Sequence, residues 1–142
     1  MFGLVLAGSV ACGGGGGGGN PVDRSQLVGL WTGTTTLNAN GQSATSPAST
    51  HISNASASDE IVWGDVCGNG SGPNATVTAP TAFSIHAFSC PPGQIGSCSS
   101  AVFAVSGGQA SLSGGTLTIA ANGTVSGCGA NAAYTLSFTG HK

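Results

Sequence analysis

Seven consecutive glycines, Gly13–Gly19, follow Cys12 and divide this chain more sharply than any other feature. A run of this kind has no side chains to pack and loses the most entropy on ordering. By composition it is a flexible spacer. It cannot contribute to a core, so whatever folds must lie after it. The chain reads as three parts: a leader over 1–11, a cysteine with a glycine-rich tether over 12–22, and a single domain of about 120 residues over 23–142.

Before the glycines, Phe2, Leu4, Val5, Leu6 and Val10 form a short apolar run that ends in small residues and Cys12. Apolar segment, small residues, cysteine, spacer: this order resembles the start of a bacterial lipoprotein. The resemblance implies cleavage before Cys12, acylation of its thiol and attachment to a membrane. Gly13 stands where an Asp favours inner-membrane retention in some bacteria, so the resemblance implies the outer membrane. Two departures stand beside it. No Lys or Arg precedes the apolar run, and Ser9 occupies the place where such boxes usually carry Leu. A plain secretory leader, with Cys12 an ordinary thiol or lost on cleavage, is the alternative. No later apolar run approaches the ~20 residues of a membrane helix.

Charge is nearly absent. Asp23, Arg24, Asp59, Glu60, Asp65 and Lys142 are the only charged residues, two of them cationic. Two cations cannot build the basic patch that nucleic acid requires, nor a polybasic contact with anionic lipid. We expect no nucleic-acid partner. Much of the apolar content of the domain is alanine, which makes for a thin core that cross-links would help. Four cysteines remain after Cys12, namely Cys67, Cys90, Cys98 and Cys128. An even number in an exported chain reads as two disulfides. The close C-x2-C spacing of a zinc site is absent.

Tyr134, Leu136 and Phe138 alternate with Thr135, Ser137 and Thr139, and Thr116–Ile119 repeats the pattern. Period two with one apolar and one hydroxylic face is a half-buried strand. No stretch has helical periodicity. Polar or glycine-rich breaks at 38–47, 68–72, 79–80, 107–108, 114–115 and 122–123 read as turns between short strands of five to eight residues. The expected fold is all-β: an up-and-down antiparallel β-barrel of about 8–10 short strands, with a β-sandwich less favoured. Strands this short, with few aromatics, argue against a membrane-spanning barrel and for a soluble domain.

In such a meander every strand reverses direction, and counting reversals places all four cysteines at one end. Pairing Cys90–Cys98 locally, with Cys67–Cys128 across the barrel floor, is favoured; Cys67–Cys90 with Cys98–Cys128 also fits. Trp31, Phe83, Ile85, Leu117, Ile119, Tyr134, Leu136 and Phe138 are expected to fill the interior. An apolar cavity of ~300 Å³ or more, open opposite the cysteines, would instead indicate a carrier.

No chemistry announces itself. Asp59 and Glu60 are adjacent and on a strand point to opposite faces. Asp65 shares Trp63's parity. His51, His86 and His141 are scattered, and no serine has a histidine and an acid beside it in the sequence. We expect no enzyme, metal or cofactor. Trp31, Trp63, Tyr134 and Phe138 are kept as core or ligand-contacting residues.

Gly29–Leu30–Trp31 resembles the G-x-W signature of lipocalins and other calycin-type barrels, and bacterial metalloprotease-inhibitor barrels also begin with such a strand. The lipocalin resemblance implies a Trp that plugs the closed barrel end beneath an Arg from a late strand, and this chain has no late Arg. A wider set of features, at Cys12, Gly29, Trp31, Gly33, Cys90, Cys98, Cys128 and Phe138, resembles small Ser/Thr/Gly-rich bacterial outer-membrane lipoproteins. That resemblance implies export, anchoring and a β-domain, and no particular activity. The expected role is a non-catalytic envelope lipoprotein with an accessory, structural or interaction role. A carrier of a small apolar ligand, or an inhibitor barrel, is the alternative.

Overall fold

The computed structural model describes residues 21–68, 70–95 and 97–142, and these are all β and turn. The leader, Cys12, the glycine run and Asn69 of the expected 68–72 turn lie outside the described residues. The first five strands, β1 (Gly29–Ala39), β2 (Gln42–Asn54), β3 (Glu60–Trp63), β4 (Asn74–Ala79) and β5 (Ala82–Ile85), form a meander. Two short pieces follow, β6 (Phe88–Ser89) and β7 (Gly93–Ile95), both pairing with β8 (Cys98–Ser113). β9 (Thr116–Gly127) and β10 (Ala130–His141) complete a second meander. β5 pairs β8 and β10 pairs β1, so eight antiparallel strands close a ring. Closure pairs each ring strand on both sides over part of its length, but among the described residues Gln42–Thr50 of β2 has no partner strand on its β3 side.

The barrel is uneven. β3, β4 and β5 have 4 to 6 residues, whereas β1, β2, β8, β9 and β10 have 11 to 16. β2 pairs with β1 along all of Gly29–Ala39 but with β3 only over Ile52–Asn54. The five long strands therefore run past the three short ones, and one side of the barrel is left open at that end.

Long strands correct the expectation of short ones, and the cause lies with glycine. Gly107–Gly108 and Asn122–Gly123 were expected to be turns, yet each pair lies inside a strand. A Cβ on Gly123 would collide with the Ala104 carbonyl and the Tyr134 phenol, and one on Gly108 would come within 2.8 Å of the Ala121 Cα. These glycines mark close approach of backbone or ring rather than reversal of the chain. The hairpin turns between the long strands are Asn40–Gly41, Gly114–Gly115 and Cys128–Gly129, with φ of 51° and 74°, 56° and 78°, 50° and 78°. Positive φ at both central residues is the hairpin turn that matches strand twist. The expected polar turn over 38–47 thus contracts to two residues, and 42–47 belongs to β2.

Strand length no longer argues against a membrane barrel, but the outward faces do. Thr32, Thr34 and Thr36 lie in register beside His141, Thr139 and Ser137, and Thr36 Oγ1 lies 2.8 Å from Thr45 Oγ1. Leu30 is the one exposed large apolar side chain among the described residues. A hydroxyl-covered exterior is the reverse of the apolar band that lipid requires. Among the described residues no helix is long and apolar enough to cross a membrane.

Side chains fill the enclosed part of the ring. Leu27, Trp31, Ile52, Ile61, Phe83, Leu117, Ile119 and Phe138 are each no more than 2 % exposed. Ile85 and Tyr134 are buried too, while Leu136, expected inside, is only half-buried. At the end where the chain enters, Trp31 Nε1 donates to Leu27 O at 2.8 Å. Lys142 Nζ sits 5.0 Å from the Trp31 ring centroid and donates to Gln26 O at 2.8 Å. A late basic residue does cover the plug, and it is lysine. Arg24, also at this end, donates to Ala57 O at 2.8 Å and to Glu60 O at 2.6 Å.

All four cysteines of the domain lie at the opposite end, where β3 and β5 finish, β8 begins and β9 turns into β10. Their pairing corrects the favoured assignment. Cys67 bonds Cys90 and Cys98 bonds Cys128, with Cα separations of 5.5 and 5.8 Å. Register explains why. The Cys90 N–H donates to Phe103 O at 2.8 Å, which fixes Cys90 beside the middle of β8. Cys98 lies five residues back along that strand, roughly 17 Å at strand rise, beyond the reach of a disulfide.

Candidate ligand cleft

The segment after β3 makes one wall of a cleft at the cysteine end. Trp63 closes β3 with its N–H on Pro73 O at 3.0 Å. The next residue, Gly64, donates to His51 O at 2.9 Å, and its carbonyl accepts from the buried Thr50 hydroxyl at 2.8 Å. A Cβ on Gly64 would lie 2.9 Å from His51 O, so only glycine permits this approach to β2. Asp65 then adopts φ of 65°, uncommon outside glycine, and turns the chain so that its N-terminal side packs on β2 while Cys67 reaches for Cys90. Because Cys90 is itself bonded to β8 at Phe103, the Cys67–Cys90 disulfide ties this wall to the far side of the opening.

Beside this wall lies a half-open cleft of about 270 Å³. Trp63, Phe103, Leu136 and Phe138 supply its apolar surface, with Val66 and Ala48 at the sides. Thr35 and Ser46, inward-facing positions of β1 and β2, line it with hydroxyls, and the exposed Asp65 stands at its rim. A second groove, about 270 Å³, shares Val66 and Phe103 and runs along the Cys67–Cys90 bond. Outside the barrel a wide, shallow dent of about 540 Å³ lies over Gly107, Gly108 and Asn122, where the strands carry little side chain.

Trp63 has the most unusual chemistry in the cleft. It is 4 % exposed, and its buried indole N–H has no hydrogen-bond partner among the described residues. Leaving such a donor unpaired costs about 1–3 kcal/mol. Trp31 shows the contrast, its N–H satisfied by Leu27 O. Of the expected core or ligand residues, the structure brings Trp63 and Phe138 together at the cleft. Tyr134 lies one layer behind, stacked on Phe103, and Trp31 belongs to the other end. Sequence reasoning missed Phe103: Ala101–Val105 is apolar at every position, so period two does not say which face Phe103 takes. It paired Asp65 with Trp63 by strand parity; the strand stops at Trp63, and a turn delivers Asp65 to the same cleft.

The structure also assembles a polar ladder that the sequence keeps apart. Thr76 Oγ1 lies 2.7 Å from His86 Nε2, and His86 Nδ1 lies 3.9 Å from Glu60 Oε1. Asn74 Nδ2 donates to Glu60 Oε2 at 3.2 Å. Hydroxyl, imidazole and carboxylate in this order follow the logic of a nucleophilic triad. The group sits on the outer face of β3–β5, and none of the grooves described here is lined by its members. A triad needs oxyanion donors and a site for the reacting atom close to the nucleophile. Among the described residues, no group of three or more His, Cys, Asp or Glu is placed to hold a metal ion.

No family model matches the chain, and no curated protein does either. A solved structure of a "putative outer membrane protein" from Bacteroides fragilis is similar, with a TM-score of 0.51 at 12 % identity. The match covers 87 % of this chain and 54 % of that one, so this chain spans about half the length of the Bacteroides protein. At that identity the likeness is one of fold.

Proposed function

We propose that this protein is a non-catalytic lipoprotein of the bacterial envelope, anchored through Cys12, that presents the disulfide-bonded end of its barrel to a partner. The difference between the two ends carries this reading. The chain enters the barrel beside Trp31 and Lys142, while the four cysteines and the cleft lie at the other end. An anchor on the tether would hold the entry end toward the membrane and turn the cleft away from it. The name of the Bacteroides protein supports an envelope location, as does the resemblance of the first twenty residues to a lipoprotein start.

Two measurements test the proposal. Expressed in a bacterium that processes lipoproteins, the mature chain should partition into detergent and carry acyl chains on an N-terminal Cys12 peptide. Cys12→Ser should release it to the aqueous phase. An unmodified peptide spanning Ala11–Cys12 would overturn the anchor. The non-catalytic part is tested at the Thr76–His86–Glu60 ladder with an activated aryl ester. The expected rate equals that of the His86→Gln variant, and turnover that this substitution abolishes would make the ladder an active site.

A further inference from the structure

A barrel that closes only in part leaves an edge, and among the described residues β2 carries it. Gln42–Thr50 pairs with β1 on one side and with no strand on the other. β3 reaches β2 only over Ile52–Asn54, Gly64 then donates to His51 O at 2.9 Å, and the chain turns away at Asp65. The His51 bond fixes which backbone groups are free. Backbone polar groups alternate sides along a strand, so those of Ser49, Pro47, Thr45 and Ser43 face the same way as His51, into the gap that β3 leaves. All four residues are exposed. The Thr36–Thr45 hydroxyl contact agrees, because side chains come closest where opposed residues do not bond each other.

Such an edge is a template for another strand, and chains protect it by shortness, charge, a bulge or proline. This edge is not short, since it takes in most of β2. No residue from Gln42 to Thr50 is charged. Its register with β1 runs unbroken, so no bulge twists it away. Proline is left. Pro47 stands in the free row and withholds the N–H that an incoming strand would use. The barrel loses nothing by it, because Pro47 lies opposite Thr34 with its nitrogen turned outward. At Ser46 or Ala48 a proline would remove a bond to β1 instead.

We propose that Pro47 keeps two copies of this chain from joining through their β2 edges. Two such edges would meet antiparallel about a two-fold axis. The longest register sets Ser43 against Ser49 and Pro47 against Thr45 of the second copy. Each proline then leaves a Thr45 carbonyl without a donor and puts its ring where the other strand must lie. A register that avoids Pro47 keeps only Ser43 and Thr45. The block belongs to the barrel and acts with or without an anchor. It matters most if the lipoprotein reading holds, because copies held at one height on a membrane meet at a raised effective concentration.

The test uses the full chain with Cys12→Ser, so that its outcome does not depend on acylation. This parent should sediment as a monomer, with fast hydrogen exchange at the amides of Ser43, Thr45 and Ser49. Pro47→Thr restores the N–H and makes the surface more polar, so association gained by it does not come from apolar exposure. It should form a dimer whose fraction rises with concentration, and the same three amides should exchange at least about tenfold more slowly. Adding Thr45→Pro withholds an N–H of the same row again and should return the monomer with an unchanged near-ultraviolet spectrum. Three results would each overturn the proposal: a Pro47→Thr chain that stays monomeric with those amides unprotected, a dimer that survives the added Thr45→Pro, or a parent already dimeric with those amides protected. If Pro47→Thr does not fold, Pro47→Ala restores the same N–H and is read in the same way.

Discussion

Tyr134 stacks on Phe103 with ring centroids 4.4 Å apart and planes 18° from parallel, and its hydroxyl donates to Ala104 O at 2.9 Å. The stack joins β10 to β8 across β9 and backs the cleft with a rigid aromatic pair. Burial pushes the Tyr134 phenol up from 10.0 to about 12. The folded state therefore keeps a proton that the unfolded chain begins to lose near pH 10. Between about pH 10 and 12 the unfolded state binds fewer protons, so stability falls as pH rises through that window and is flat with respect to this group below it. The chain has a single tyrosine, so the tyrosinate absorbance reports this residue alone. We expect its midpoint well above 10, and Tyr134→Phe to remove this contribution to the alkaline fall. A midpoint at the ordinary value would show the phenol to be solvated.

The Tyr134 phenol and the Ala104 carbonyl it bonds both close on Gly123. Gly123→Ala must displace both and should destabilise the domain by about 1–3 kcal/mol, as overpacking does. Gly41→Ala adds a methyl group in open space at φ of 74° and should cost about 1–2 kcal/mol through backbone strain alone. Urea unfolding of the two variants separates the causes. Only Gly123→Ala should also perturb the tyrosine environment in the near-ultraviolet spectrum.

Lys142 should contribute through the Trp31 face it covers. Lys142→Met keeps the aliphatic stem but loses the charge over the ring and the bond to Gln26 O. A loss of about 0.5–1 kcal/mol is expected, typical of an exposed cation–π contact, with Lys142→Arg near wild type. An unchanged midpoint in Lys142→Met would mean that the lysine only rests there.

The two disulfides should differ in consequence. Each is expected to contribute about 2–4 kcal/mol, but only Cys67–Cys90 holds a wall of the cleft. The double substitution Cys67→Ser, Cys90→Ser should red-shift the emission of Trp63, and Cys98→Ser, Cys128→Ser should leave it unmoved. Connectivity is checked by mapping under non-reducing conditions. Trypsin is of no use, because Arg24 and Lys142 are the only basic sites and all four cysteines lie between them. Pepsin should yield 67–90 and 98–128 linked peptides, and a 90–98 link would contradict the register.

Fold class was legible because period two at Tyr134–Thr139 and at Thr116–Ile119 is a local property of the chain. The shared end of the four cysteines was reached by counting strand reversals. Two of those reversals, at 107–108 and 122–123, do not exist, and the answer stands because two missing reversals cancel in parity. Disulfide pairing was not legible. It depends on Cys90 docking beside Phe103, a contact across the β6–β7 excursion with no periodic signal. Gly108 and Gly123 misled for a related reason: in sequence, a glycine that turns the chain looks the same as one that admits a neighbour. The cleft could not be read at all, since Trp63, Phe103 and Leu136 meet only when three distant strands outrun or fall short of one another.

The placement of β1 has a mechanical consequence. It is the strand through which the tether joins the barrel, and it is flanked on both sides, by β2 over Gly29–Ala39 and by β10 over Thr32–Ala39. If the chain is held at a membrane while something grips the far end, the pull runs along this strand. Both ladders then resist in shear, with all their rungs strained together, whereas a strand peeled from a sheet edge gives way one rung at a time. The cross-links sit beyond the other end of the barrel, so they leave this path unshortened. The domain should yield to a steady axial force abruptly and late, at the β1 interfaces.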